Sequence, residues 1–165
     1  MGCGKSTVGR LLARQIGWHY VDLDQRITEF TGRTISEIFS REGEPTFREI
    51  ERRELVRVLG ESTALSRPTI ISLGGGTTTQ PHNLFLLEQH AATLLWLECP
   101  VDELLNRCAQ MTDRPLFKDE SSFRNLYQRR LPCYELAHFK VDSSAEPSRV
   151  MEQILNLGIL DKIVA

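Results

Sequence analysis

No run of apolar residues in this sequence approaches the roughly 20 needed to cross a bilayer. The chain opens on a glycine-rich turn, not on the apolar core of a secretory leader, so a cytoplasmic location and no membrane partner are expected. A surplus of one charge is missing too. Lys and Arg number 20 against 22 Asp and Glu, a formal net charge of −2, with no basic or acidic tail. Nothing therefore suggests nucleic acid or another polyanion as partner. The four cysteines, Cys3, Cys99, Cys108 and Cys133, form no CxxC pair and have no histidine at metal-ligand spacing. That argues for reduced, mostly buried thiols and against a zinc site or a disulfide framework. Lysine is scarce, appearing only at Lys5, Lys118, Lys140 and Lys162. The remaining basic residues are Arg, whose planar fork suits carboxylates and phosphates, although plain solubility explains the bias as well. There is no internal repeat, low-complexity tract or linker.

What is present is an ordinary globular composition, 41% hydrophobic and 25% charged over 165 residues, enough for one domain and too little for two. Short apolar strands alternate with amphipathic helices. Val8, Leu11, Leu12 and Ile16 make a helical stripe over Ser6–Ile16, with Gly17 placed as C-cap. A strand at His19–Val21 ends at Asp22. Helices are expected at about Gln25–Phe30, Ile35–Arg41 and Phe47–Leu59, closed in turn by Gly32, Gly43 and Gly60. Thr69–Leu73 is a buried-strand run that stops at Gly74-Gly75-Gly76. A helix starts near Pro81, Thr93–Leu97 is a further strand, and Pro100 introduces a helix over Val101–Gln110. A polar stretch, Met111–Ser122, precedes a helix near Phe123–Arg130. His138–Val141 and Ser148–Leu157 read as a last strand and helix. Such alternation predicts parallel pairing and a three-layer α/β/α sandwich.

Gly2-Cys3-Gly4-Lys5-Ser6-Thr7 opens the first helix, and Gly4-Lys5-Ser6 is the back half of the pattern G-x-x-x-x-G-K-[ST]. Glycines let backbone N–H groups turn onto phosphate oxygens, and the helix N-terminus adds partial positive charge. Lys5 would reach the β/γ-phosphates of a nucleotide and Ser6 a Mg²⁺ ion. A plain glycine turn capping a helix is the dull alternative. The first glycine of the pattern belongs five residues before Gly4, upstream of Met1, and a phosphate loop ordinarily joins a strand to a helix. A truncated chain, or a start assigned at an internal methionine, is the expectation, and the absent strand would lie inside the sheet.

Further motifs follow in order: Asp22-Leu23-Asp24 after the second strand, Phe47-Arg48-Glu49-Ile50-Glu51 opening a helix, Gly74-Gly75-Gly76, Asp113-Arg114-Pro115-Leu116, and Arg130-Leu131-Pro132-Cys133-Tyr134. Singly, each has a bland reading: a helix cap, a surface ion pair, a flexible loop or a turn. Together, after a phosphate loop, they resemble the shikimate kinases from Met1 to about Leu157.

That resemblance implies a P-loop kinase fold, with a lid at about 111–122 and a substrate-binding helical segment at about 25–59. It implies ATP and Mg²⁺ as cofactors, shikimate as the small-molecule substrate, and a monomer. Lys5, Asp24 and Arg114 would be catalytic. Asp24 would hold and orient the attacking hydroxyl, and Arg114 would close over the transferred phosphate. Asp22 would join Ser6 at the metal, through water. Arg48, steadied by Glu51, and Arg130 would clamp the substrate carboxylate, with Gly74, Gly75 and Gly76 lining the pocket and Gly75 offering an N–H. Gly2, Cys3, Gly4, Lys5, Ser6 and Thr7 would hold the phosphates, and Arg107 and Pro147 the adenine. The loop Asp142–Pro147 departs from some relatives in lacking an arginine. Two alternatives stay open: a gluconate or nucleoside monophosphate kinase, and a truncated or non-catalytic binding relative.

Overall fold

Residues Val8 and Leu12 lie one helical turn apart and both are buried, which commits the first helix to a single inward face. This helix, α1 (Lys5–Ile16), stops at Gly17, whose φ of 72° is the left-handed conformation that glycine adopts without penalty. The computed structural model describes residues 2–109 and 119–159. After α1 come β1 (His19–Asp22), α2 (Leu23–Thr31), α3 (Ile35–Ala64), β2 (Thr69–Ser72) and a 3-10 turn at Thr77–Thr79. Then follow α4 (Pro81–Gln89), β3 (Leu95–Glu98), α5 (Val101–Ala109), α6 (Glu120–Tyr134), β4 (Phe139–Asp142) and α7 (Pro147–Asn156).

Four boundaries depart from expectation. α3 contains both helices foreseen around Gly43, whose φ of 82° and ψ of 172° are non-helical and kink the chain there. It does not end at Gly60, because Glu61–Ala64 continue the turn and a side chain at Gly60 would meet nothing within 4 Å. α6 begins at Glu120, earlier than 123, because Asp119 caps it by accepting from Ser122 N. The segment 120–122 is therefore helical, whereas the expected lid residues up to 118 lie outside the described residues. Finally, α6 runs past Pro132 to Tyr134, although a proline usually breaks a helix interior.

Strand pairing is parallel throughout, as foreseen. His19–Asp22 match Thr69–Ser72, and Leu95–Glu98 match Phe139–Asp142. Among the described residues, however, no ladder joins β2 to β3, so the sheet is two separate pairs, β1-β2 and β3-β4.

Helices cover both faces. α1 lies against β1, β2 and α7, and its Gly9 sets that approach: a Cβ there would sit 2.9 Å from the Tyr20 ring and 3.0 Å from Ser72 Oγ. One buried cluster joins Val8, Leu12, Leu97, Val141, Val150 and Ile154 on this side. Another joins Leu23, Ile27, Ile38, Leu55 and Leu87 beneath α2, α3 and α4. In β2, Ile70 serves the first cluster and Ile71 the second, the alternation of a strand covered on both faces. Each fully buried Leu or Ile contributes about 1.5–3 kcal/mol relative to exposure. Among the described residues no helix is long and apolar enough to span a membrane.

Candidate active site

Strand β1 delivers Asp22 to the front of the sheet, where the chain turns directly into α2. One oxygen caps that helix, accepting from Asp24 N at 3.1 Å and Gln25 N at 3.3 Å. The other accepts from Ser6 Oγ at 2.6 Å and from the Tyr20 hydroxyl at 3.3 Å. Asp22 and Ser6, named from sequence as the metal pair, are thus brought together. Both are hard oxygen donors, the kind Mg²⁺ takes from protein alongside water and substrate phosphates. Among the described residues no three His, Cys, Asp or Glu cluster as an all-protein metal site. The residues present fit a Mg²⁺ ion completed by phosphate oxygens.

The glycine turn before α1 lies beside this pair. Gly2 (φ 66°) and Gly4 (φ 80°) are both left-handed, which only glycine supplies cheaply in succession around one residue. Ser72 Oγ, at the end of β2, donates to Lys5 O at 3.2 Å and anchors the turn. Lys5 Nζ lies 4.0 Å from Cys3 Sγ. Burial pushes the Cys3 thiol up, but the Lys5 charge and backbone hydrogen bonds from Lys5 and Cys3 outweigh it and hold the thiol below its ordinary value. Positive charge thus gathers where phosphates are expected. Thr7 is exposed on the first turn of α1.

Across the front, the glycines after β2 gather the residues expected to hold the acceptor. A Cβ on Gly74 would lie 3.1 Å from each of Asp24 Oδ1, Glu51 Oε1 and Thr77 Oγ1. Glu51 is fully buried; it accepts from Thr77 Oγ1 at 2.7 Å and from Arg48 Nη1 at 2.9 Å. Asn83 Nδ2 donates to Thr77 O at 3.1 Å and fixes the 3-10 turn. Arg48 lies over Gly76, where a Cβ would meet its Cζ and Nη1 at 2.9 Å. Its other edge, Nε and Nη2, donates to Glu44 Oε1 at 3.1 and 2.8 Å. Burial works against the Arg48 charge, yet Glu51 and Glu44 raise its pKa above the ordinary guanidinium value.

Arg130 and Tyr134 sit one turn apart on α6 and share a side-chain hydrogen bond. The Tyr134 hydroxyl donates to Gly75 O at 2.7 Å. Burial raises the Tyr134 pKa, opposed by the neighbouring Arg130 charge and its hydrogen bond. Arg130 itself is only 6% exposed, which puts a buried cation at the pocket wall.

Asp24 therefore lies against Gly74, Arg48 against Gly76, and Arg130 reaches the glycine turn through Tyr134, which bonds Gly75. Arg107 lies elsewhere, at the base of the loop before α7. It pairs with Glu103 and donates to Ser143 O at 3.2 Å and Ser144 O at 3.3 Å, so it does meet the loop that ends at Pro147. Arg114 lies outside the described residues. The sequence reading missed Thr77, Asn83, Ser72 and Tyr20. Thr77 bonds Glu51 across 26 positions, Tyr20 bonds Ser72 across 52 and Ser72 bonds Lys5 across 67, which no local pattern carries; Asn83 bonds Thr77 across only 6, and Thr77 directly follows the three glycines.

The comparisons with known proteins bear on this geometry. The family model described as shikimate kinase matches residues 1–157. A shikimate kinase of Persephonella marina is 34% identical over 157 residues, covering 94% of this chain and 92% of that protein. The shikimate kinase of Acinetobacter baumannii, solved in complex with shikimate, superposes with a TM-score of 0.84 at 35% identity, covering 98% of this chain and 90% of that one. A gluconokinase from Sinorhizobium meliloti gives a TM-score of 0.67 at 20% identity, covering 99% and 90%, a likeness of fold alone.

Proposed function

The chain belongs to the shikimate kinase family, and on that premise we propose how its residues divide the work of phosphorylating shikimate. The activity is ATP-dependent transfer of the γ-phosphoryl group to the 3-hydroxyl of shikimate, a step toward chorismate and the aromatic amino acids. Phosphoryl transfer asks a protein mainly for positioning and charge stabilisation.

The convergence of Arg48, Arg130 and Asp24 on the glycine turn supports the acceptor assignment best. Arg48 and Arg130 clamp the substrate carboxylate, and such charge-assisted pairs discriminate against a neutral sugar. Gly75 offers its N–H to a hydroxyl. Asp24 orients the 3-hydroxyl and accepts its proton as the oxygen attacks the γ-phosphorus, while the β–γ bridging oxygen leaves with ADP. Lys5 follows the β- and γ-phosphates, and Gly2, Cys3, Gly4, Ser6 and Thr7 present backbone N–H groups to them. Arg114, in the segment before α6 expected to act as a lid, would neutralise charge on the phosphoryl group in flight, and Arg107 and Pro147 would flank the adenine. Ser6 directly, and Asp22 through water, would hold Mg²⁺, which when bound offsets charge between the β- and γ-phosphates. The four free thiols suit a reducing cytoplasm.

The direct test is ADP release with shikimate, gluconate and nucleoside monophosphates as acceptors. Turnover with shikimate alone is expected; faster turnover with gluconate would overturn the acceptor assignment. Asp24→Asn separates its role from simple binding. The rate should fall by on the order of 10²–10⁴ with shikimate affinity nearly kept. An affinity loss with an unchanged rate would make Asp24 a binding residue only.

A further inference from the structure

Tyr20 and Asp22 stand two residues apart on β1, so their side chains leave the same face of the strand. Asp22 is in register with Ser72 of β2, and α1 covers that face of both strands. A Cβ on Gly9 of α1 would meet the Tyr20 ring, Ser72 Oγ and, at 3.6 Å, Ile70. The ring is thus held beneath the helix, with the Arg10 guanidinium 5.4 Å from its centroid. Packing accounts for the ring. It does not account for the hydroxyl, which lies 3.1 Å from Ser72 Oγ and 3.3 Å from Asp22 Oδ2.

The bonds around that hydroxyl close a circuit through the phosphate loop. Ser72 Oγ gives its one hydrogen to Lys5 O, so it meets Tyr20 as an acceptor. Ser6, next to Lys5, donates to the same Asp22 oxygen that Tyr20 faces. The other Asp22 oxygen caps α2 through Asp24 N and Gln25 N, so the carboxylate also sets the start of that helix. We infer that Tyr20 is a positioning residue for the phosphate side: its hydroxyl fixes the Asp22 carboxylate against Ser6 and, through Ser72, ties it to the backbone of Lys5. Ser6 alone is not a fixed partner for Asp22, because its Oγ is itself the group that turns toward a metal. Tyr20, clamped under α1, is fixed. Partners behind a metal's ligands hold them in orientation, and losing one typically costs about 10–100-fold in metal affinity or activity. The inference rests on the reading of Ser6 and Asp22 as the Mg²⁺ pair and is independent of the acceptor.

The experiment compares the 165-residue chain with Tyr20→Phe, Ser72→Ala and Asp22→Asn. ADP affinity is measured by calorimetry with and without Mg²⁺, the ratio giving the gain due to the metal. Amide exchange at Asp24 and Gln25 is followed without nucleotide. Tyr20→Phe keeps the ring and removes only the hydroxyl. It should reduce the gain about tenfold, the lower end for such a partner, and leave metal-free ADP affinity within twofold. Exchange at both capped amides should quicken several-fold, because the Asp22 cap is no longer braced. Ser72→Ala should do the reverse, weakening metal-free ADP binding through Lys5 while the gain is kept. An unchanged gain or unchanged exchange in Tyr20→Phe overturns the inference. So does an equal loss of gain in Ser72→Ala, which would mean a loosened turn and no specific hold on Asp22. Asp22→Asn separates the two readings. If it leaves the gain intact, Ser6 and Asp22 are not the metal pair and the role of Tyr20 falls with them. If it removes a gain that Tyr20→Phe keeps, the metal pair stands and only the role of Tyr20 is wrong.

Discussion

The acceptor side and the phosphate side of this site are built differently. Around Gly74–Thr77 nearly every polar group is already engaged: Arg48 with Glu44 and Glu51, Thr77 with Glu51 and Asn83, Tyr134 with Gly75 O. Around Gly2–Ser6 the contacts are sparse. Lys5 meets only a distant Cys3 Sγ among the described residues, and the loop is tied down through Ser72. On the proposed acceptor side the charges already neutralise one another, Arg48 against Glu44 and the buried Glu51. The phosphate side instead holds uncompensated positive character, which a polyphosphate supplies with its partner. Preorganisation of the first kind favours selectivity; the second favours a strong response to nucleotide and metal.

The largest effect should come from breaking the phosphate side alone. Lys5→Met removes the cation proposed to follow the β/γ-phosphates, and turnover should fall by on the order of 10²–10³, as for loss of one charge-stabilising donor. Shikimate binding measured by calorimetry without nucleotide should stay within twofold. A comparable loss of shikimate binding would mean that the two sides are a single unit.

The mirror experiment is next in size. Arg48→Ala and Arg130→Ala should each cost on the order of 2–4 kcal/mol of shikimate binding while ATP affinity holds. Among the described residues Arg48→Ala leaves the buried Glu51 with only Thr77 as partner, so Tm should fall as well, whereas Arg48→Lys should restore Tm more than it restores binding. Equal loss for ATP and shikimate in either variant would contradict the division of labour.

The residues proposed for this division were named from the sequence, and the parts of their setting that were illegible share a cause. Gly17 and Gly32 read correctly as left-handed caps because a cap is a local event. Gly60 did not, because nothing local tells a glycine that ends a helix from one the helix passes through. The start of α6 was hidden in polar residues, where Asp119 capping Ser122 replaces the hydrophobic period as the signal. Asp22, Asp24, Arg48 and Arg130 were recognisable from motif order, but their mutual geometry depends on Thr77 and Asn83, which enter only through tertiary contact. The split of the sheet was half visible: the phosphate-loop pattern called for a preceding strand, while only the structure shows β2 and β3 facing one cavity.

A milder change sharpens the comparison without removing any charge. Gly76 has φ −111°, which any residue adopts, so Gly76→Ala carries no backbone strain. The new Cβ would instead collide with the Arg48 guanidinium. Arg48 must shift away from the turn, and misplacing a clamp by about 1 Å is enough to cost up to 10²-fold in turnover. We expect KM for shikimate to rise at least several-fold with KM for ATP unchanged and Tm lower by no more than a few degrees. An unchanged shikimate KM would show that Arg48 need not lie over Gly76 to do its work.

The smallest expected effect tests how the proposed acceptor side admits its ligand. Arg48 has two usable edges. Nη1 is committed to Glu51, which is fully buried and cannot let go cheaply. The Nε–Nη2 edge is held by Glu44, whose side chain is 50% exposed. A pair with one partner half-exposed is weaker than the buried Glu51 pair, so a substrate carboxylate can displace Glu44 and take the same two donors. Glu44 then acts as a placeholder that the ligand must outcompete. Glu44→Gln keeps the shape and weakens the competitor, so shikimate should bind more tightly, by at most about fivefold, with Tm and ATP affinity unmoved. Raising the salt concentration should narrow the gap between the two proteins, because the competing pair is exposed to screening. Weaker shikimate binding in Glu44→Gln would reverse the reading: Glu44 would be an orienting partner of Arg48, and the acceptor side would be more completely preorganised than proposed.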